Sequence, residues 1–160
     1  MNAFVIDTNV AIVANGKTPQ AGRNCELACV RVLLEVRRTG IVVLDMGMHI
    51  LSEYMKRLSM SGQPGLGDAF MKWVWQVQAD SSHCERVMIS HHEQRGFVEF
   101  PDDRALNDFD RDDRKFVAVA LTSSKHPSVL NAVDSDWWVY RDSLRRNGVA
   151  IRFLCPEQFS

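Results

Sequence analysis

Phe4-Val5-Ile6 is a short apolar run that stops abruptly at a carboxylate, Asp7, followed by Thr8-Asn9. Consecutive apolar residues without alternation, closed by polar ones, suit a strand buried on both faces, the usual condition at the centre of a parallel sheet. In open α/β sheets ligands bind in the crevice beyond the carboxyl ends of the strands, where Asp7 would stand. An aspartate directly after a strand is also a common cap for the next helix, and the run alone leaves both roles open. What separates them is whether further carboxylates reach the same edge.

The remaining chain alternates in the same way. Residues 24–38 read as a helix with Leu27, Val30 and Leu34 on one face, closed by Gly40 after the basic pair Arg37-Arg38. Residues 41–44 form a second buried strand ending in Asp45, and residues 48–60 a helix carrying Glu53. After a break at residues 61–65, Asp68 caps a helix with Phe70, Trp73, Val74 and Val77 at helical spacing. Trp75 lies off that stripe, as a dimer contact, an RNA contact or a plain surface aromatic. Residues 83–109 give a weak pattern, with Val87-Met88-Ile89 as a short edge strand. Residues 116–121 form a buried helix after Asp112-Asp113, residues 129–133 a strand ending in Asp134, residues 137–146 a helix and residues 150–154 a last strand. Strands alternating with helices imply parallel crossovers. The expected fold is therefore α/β: a three-layer α/β/α sandwich with a central parallel sheet of about five strands, in one domain spanning residues 1–160.

Composition narrows the setting. With 46% hydrophobic and 24% charged residues the chain has the balance of an ordinary soluble protein, and no apolar run is long enough for a membrane span. A core-like strand beginning by residue 4 predicts no signal peptide. Cys25, Cys29, Cys84 and Cys155 make no C-x-x-C pair, and the helical spacing of Cys25 and Cys29 favours packed thiols over a disulfide or zinc site, in keeping with a reducing cytoplasm. The net charge of −1 exerts no global pull on nucleic acid, so any such binding needs a local basic patch or a bound cation.

Asp7 and Asp134 each follow an apolar strand, so a parallel sheet brings both to one edge, and Glu53 and Asp113 sit on helices that can reach it. Crowded carboxylates repel one another and raise at least one pKa. A hard divalent cation, Mg²⁺ or Mn²⁺, relieves this, and oxygen ligands without His or Cys point to phosphodiester hydrolysis more than to zinc chemistry. Asp45 is a further strand-end acid, but its position ahead of a helix favours capping. The stretch Gly62-Gln63-Pro64-Gly65-Leu66-Gly67 lacks the Lys-Ser/Thr of a P-loop. His49, one turn before Glu53, and the pair His91-His92 have no second metal ligand at recognisable spacing; packing and surface exposure are their expected roles.

Ile6-Asp7-Thr8-Asn9, Glu53 in Ser52-Glu53-Tyr54, Asp113 in residues 113–120, and Asp134-Ser135-Asp136-Trp137 together resemble the four motifs of PIN domains, in the right order and over nearly the whole chain. Trp137 stands where that family's fourth motif has Phe. The resemblance implies a divalent-metal-dependent endoribonuclease acting on single-stranded or loop RNA, often the toxin of a toxin–antitoxin pair with an antitoxin partner. It also implies that Asp7, Glu53, Asp113 and Asp134 bind the metal, with Asp136 as a supporting or second-metal ligand or simply a cap. Thr8 or Asn9 would support the first carboxylate or the scissile phosphate. Family spacing favours Asp113 over Asp112, which then caps the helix. Arg57, Arg111, Arg114 and Lys115 flank these acids and are candidates for holding the RNA backbone. Two other functions remain open: a structure-specific DNA nuclease using the same acids, and a non-catalytic α/β module that binds metal or protein through its acidic edge.

Overall fold

The structure, a computed structural model, describes residues 2–159. Its elements run β1 (Ala3–Ile6), α1 (Thr8–Ala14), α2 (Arg23–Thr39), β2 (Ile41–Asp45), α3 (His49–Arg57), α4 (Leu66–Val77), β3 (Cys84–Val87), β4 (His91–His92), β5 (Gly96–Phe97), α5 (Arg114–Thr122), β6 (Ser128–Asn131), α6 (Ser135–Val139), α7 (Arg141–Arg146) and β7 (Ala150–Phe153). Five strands form one parallel sheet in the order β3-β2-β1-β6-β7, flanked by helices as a three-layer α/β/α sandwich. Every residue of β1 and β2 is buried, which explains why both read as unbroken apolar runs. The chain builds outward from β1 through β2 to β3, then returns to place β6 and β7 on the other side of β1. That reversal between β1 and β6 is the topological switch point at which a crevice opens beyond the strand ends. The register pairs Ile6 with Leu130, so the two strands stop together.

Several elements differ from their sequence reading. The buried face of α2 is Cys25, Cys29, Val32, Leu33 and Val36, whereas Leu27 and Leu34 are exposed. Counting the cysteines as core residues restores the i, i+4, i+7, i+8 stripe. Helix α3 ends at Arg57, short of Met60, with Leu58 in an extended cap. Asp68 lies inside the first turn of α4, where its carboxylate accepts the amides of Gly65 (3.0 Å) and Ser59 (2.8 Å). The edge strand β3 ends at Val87 instead of beginning there. The weakly patterned stretch contains a small antiparallel hairpin, β4–β5, and the buried side chains Phe100, Leu106 and Phe109. The helix expected over 137–146 is split at Tyr140 into α6 and α7.

The glycine-rich stretch is a packing device. A Cβ on Gly67 would lie 1.9 Å from the Ala11 carbonyl oxygen, so only glycine lets α4 sit this close to α1. The thiol expectation is corrected: Cys25 is bonded to Cys155 as a disulfide joining the start of α2 to the segment after β7, and only Cys29 and Cys84 are free, both buried. Helical spacing drew attention to the neighbour at i+4, while the true partner lay 130 residues away. The free-thiol argument for a reducing compartment falls with it. No helix among the described residues is long and apolar enough to cross a membrane.

Candidate metal centre

At the switch point, capping and clustering turn out to be the same act. Asp7 caps α1, its Oδ1 accepting the Asn9 amide at 3.0 Å, while its Oδ2 accepts the indole N–H of Trp137 at 2.8 Å. Asp134 caps α6 in the same way, Oδ1 accepting the Asp136 amide at 2.9 Å. Each carboxylate is thus fixed by a helix start that follows its strand. Two asparagines lock these starts to each other. Asn9 Nδ2 donates to Asn131 Oδ1 at 2.8 Å, Asn9 Oδ1 accepts the Ala132 amide at 2.8 Å, and Asn131 Nδ2 donates to the Asp134 carbonyl at 3.1 Å.

Asp113 arrives from a different direction, on the 3₁₀ turn Arg111–Asp113 just before α5. Asp110 caps that turn by accepting the Asp112 amide at 3.0 Å, and the Asp110 amide donates in turn to Asp136 Oδ2 at 2.8 Å. Asp136 therefore anchors the loop that presents Asp113.

Carboxylate oxygens of Asp7, Asp113 and Asp134 all lie within 4.8 Å of one another. Asp7 and Asp113 are buried, and Asp113 Oδ2 is enclosed with no hydrogen-bond partner. Burial, followed by the nearby charges of Asp134 and Glu53, pushes the Asp7 carboxyl up to about 7, against the Asn9 and Trp137 hydrogen bonds that favour its anion. Burial, then the charge of Asp7, then a side-chain hydrogen bond with Asp134 and its charge push Asp113 further, to about 10. An enclosed acceptor atom among repelling carboxylates is satisfied only by a proton or a cation.

The other expected site residues take different places. Glu53 stands beside the triad without joining it: Oε2 accepts the hydroxyl of buried Thr8, and Oε1 pairs with Lys115 Nζ at 2.8 Å. Thr8 thus supports Glu53 and not Asp7. Asn9 spends its side chain on Asn131 and the Ala132 amide, so it does not face a substrate. Asp136 has one oxygen committed to the Asp110 amide. Asp112 is exposed and is not the cap of α5: Asp113 holds that position, without a side-chain cap bond, while Asp110 caps the preceding 3₁₀ turn.

Arg114 is the clearest correction. It is buried, and its guanidinium donates to the carbonyls of Phe109, Leu106, Asn107 and Arg95 at 2.8 to 3.2 Å, which leaves nothing for RNA phosphate. Asp45 accepts the amides of His49 (2.8 Å) and Ile50 (2.9 Å) and so serves the first turn of α3.

Trp137 and Asn131 are the contributors that sequence reasoning missed. A signal for Trp137 existed: a fully buried indole needs an acceptor for its N–H, and the nearest strand-end acid supplies it. Asn131 reads as the middle of the strand expected over residues 129–133, whereas β6 ends at it, and nothing local marks its side chain.

The triad offers only carboxylate oxygens, the donor type that suits Mg²⁺ or Mn²⁺, and the enclosed Asp113 Oδ2 is an acceptor waiting for such a partner. Comparisons with family models, with curated proteins and with solved structures return no match.

Proposed function

We propose that this chain is a divalent-cation-dependent endoribonuclease of the PIN-domain kind, cutting single-stranded or loop RNA. The observation that carries the reading is the convergence of Asp7, Asp113 and Asp134 from three separate elements at the switch point, with one buried carboxylate oxygen left unpartnered. A divalent cation held by these three supplies charge neutralisation and Lewis-acid polarisation of a phosphodiester.

The chain's own residues do the rest. Trp137 and the Asn9 amide hold Asp7 in one orientation, and the Asn9–Asn131 pair keeps the β1 and β6 ends from parting. Lys115 neutralises Glu53 at the rim, leaving Glu53 placed to accept a proton once a negative substrate competes for the lysine. Unpaired RNA suits the crevice because its backbone can bend toward acids recessed beyond the strand ends.

The decisive experiment is cleavage of labelled RNA and DNA oligonucleotides of one sequence by wild type, Asp7→Asn and Asp134→Asn, with Mg²⁺, with Mn²⁺ and with EDTA. RNA cleavage that needs a metal and both aspartates is expected. Cleavage undiminished in EDTA, or equal in the variants, overturns the reading. Preference for DNA would make it a DNA nuclease, and no cleavage at all would leave the acidic edge as a metal- or protein-binding surface.

A further inference from the structure

His49 is an imidazole that the fold holds in place beside Glu53 and the acidic crevice. Its Nδ1 lies 2.7 Å from Asp45 Oδ2, and the Asp45 side chain is fully buried while that of His49 is 51% exposed. A carboxylate that already receives two backbone amides, from His49 and Ile50, is an acceptor only. The proton of the neutral ring is therefore on Nδ1, which makes Nε2 a hydrogen-bond acceptor.

Two further features hold the ring. Phe97 of β5 meets it edge-on, with centroids 5.3 Å apart and planes at 86°. A Cβ at position 47 would come within 3.0 Å of its Cε1 and Nδ1, so Gly47 leaves the space the ring fills. Between them, Met48 adopts a left-handed backbone, φ 68°, which costs a non-glycine residue about 1 kcal/mol or more. A residue with left-handed backbone, a glycine and a buried acid thus surround one half-exposed imidazole.

The imidazole is part of the wall of a cavity of about 400 Å³, lined by Gly47, His49, Ser52, Glu53, Arg57 and Lys115 among others. This space is of nucleotide size, and the Glu53–Lys115 pair forms its boundary with the carboxylate triad. A lone-pair acceptor in the wall of a nucleotide-sized space beside the proposed site is suited to one group that RNA has and DNA lacks. That group is the 2′-hydroxyl, a hydrogen-bond donor.

We infer that His49 Nε2 accepts a hydrogen bond from the ribose 2′-OH of a nucleotide seated in this cavity, and thereby sets a preference for RNA over DNA. The inference rests on the nuclease reading of the triad and adds the residue that recognises the sugar. Asp45, Gly47 and Phe97 are positioning residues for the ring.

The test uses the full chain in one buffer throughout. The substrates are an RNA oligonucleotide, the same strand with a single 2′-deoxy substitution walked through it, and the all-DNA strand. Wild type is expected to lose about tenfold in kcat/KM at one walked position, the worth of one neutral hydrogen bond. His49→Ala should cut RNA about tenfold more slowly and show no loss at that position, while His49→Gln, which keeps an acceptor oxygen, should restore part of it. Anisotropy binding of the same strands to the Asp7→Asn protein, with and without His49→Ala, provides a readout independent of turnover, and circular dichroism confirms that each variant folds.

A walked position that stays equally sensitive in His49→Ala overturns the inference, as does wild type that tolerates every single deoxy substitution. Those results leave metal-dependent cleavage that requires Asp7 intact. Loss of the Asp7 requirement would instead strike the nuclease reading itself.

Discussion

Among the described residues, two groups of three side chains have ligand-type atoms within 4.8 Å of one another: Asp7, Asp113 and Asp134 at the β1–β6 crevice, and Cys25, Cys29 and Cys155 between α2 and the segment after β7. Both draw on distant parts of the chain, and both are mostly buried. They resolve that burial in opposite ways. A thiol can stay neutral or form a covalent bond, and the cysteines do both: Cys25 and Cys155 are joined, while burial raises Cys29 to about 12 and keeps it protonated. The carboxylates form no covalent bond and answer burial only by holding a proton or a cation. Those of Asp7 and Asp113 are pushed up to about 7 and about 10, and one enclosed oxygen still lacks a partner. Burial thus accompanies a staple in one cluster and, in the other, carboxyls that hold their protons until a cation replaces them.

The contrast breaks most visibly if the acids turn out to be as inert as the thiols. We expect Asp7→Asn or Asp134→Asn to reduce RNA cleavage by at least about 10²–10³-fold, the loss typical of one electrostatic stabiliser, and EDTA to abolish it. Cys29→Ala should leave the rate unchanged. A cysteine variant that matches the aspartate variants in a cleavage assay would erase the distinction.

Next in size is the staple. Reduction of the Cys25–Cys155 bond, which closes a 130-residue separation, should lower unfolding free energy by about 2–4 kcal/mol. Urea titrations with and without a reductant measure it, and an unchanged midpoint would mean the bond holds nothing that packing does not.

The pH dependence sharpens the acid side. Unfolded, the Asp7 and Asp113 carboxyls lose their protons near 3.8; folded, Asp7 keeps its proton to about pH 7 and Asp113 to about pH 10. Between those values the folded chain binds more protons than the unfolded one, so stability falls as pH rises. Without metal, the thermal midpoint should therefore drop steadily from pH 4 to pH 8. Asp113→Asn should flatten the slope and raise the midpoint at pH 8 by a few degrees, about 1–2 kcal/mol. Asp7→Asn should gain less, because Asp7 uses both oxygens as acceptors, for Asn9 and Trp137, and an amide has only one. Added Mn²⁺ should raise the wild-type midpoint at pH 8. A midpoint that climbs with pH in its absence would contradict the crowding.

The smallest effect belongs to Cys29, where Cys29→Ala should cost about 1 kcal/mol from lost packing, with no pH dependence. A larger, pH-dependent loss would show that this thiol ionises after all.

The parallel sheet was legible because β1 and β2 are buried on both faces and so carry no alternation. Asp7 was legible because it ends such a run; Asp134 was legible as an acid after an apolar run, although β6 stops three residues earlier, at Asn131, and Asp134 starts α6 instead. Glu53 was legible as a nearby acid but not in its role: its pairing with Lys115 spans 62 residues and that with Thr8 spans 45, and no periodicity encodes either. Arg114 misled for a related reason. A cation beside a site acid suggests phosphate, and only the folded loop from Arg95 to Phe109 reveals that its carbonyls claim the guanidinium. The α2 face was misjudged because cysteine was weighed as chemistry and not as core.

The order of strands and helices, the burial of the central strands and the placing of acids at strand ends were all determined by local pattern, since hydrophobic period and caps act within a few residues of chain. Which acids meet, which cysteine pairs with which, and which cations are already spent were decided by the tertiary structure alone. Those outcomes depend on distances across the switch point between atoms far apart in sequence, and burial sets their charge only after the chain has closed around them.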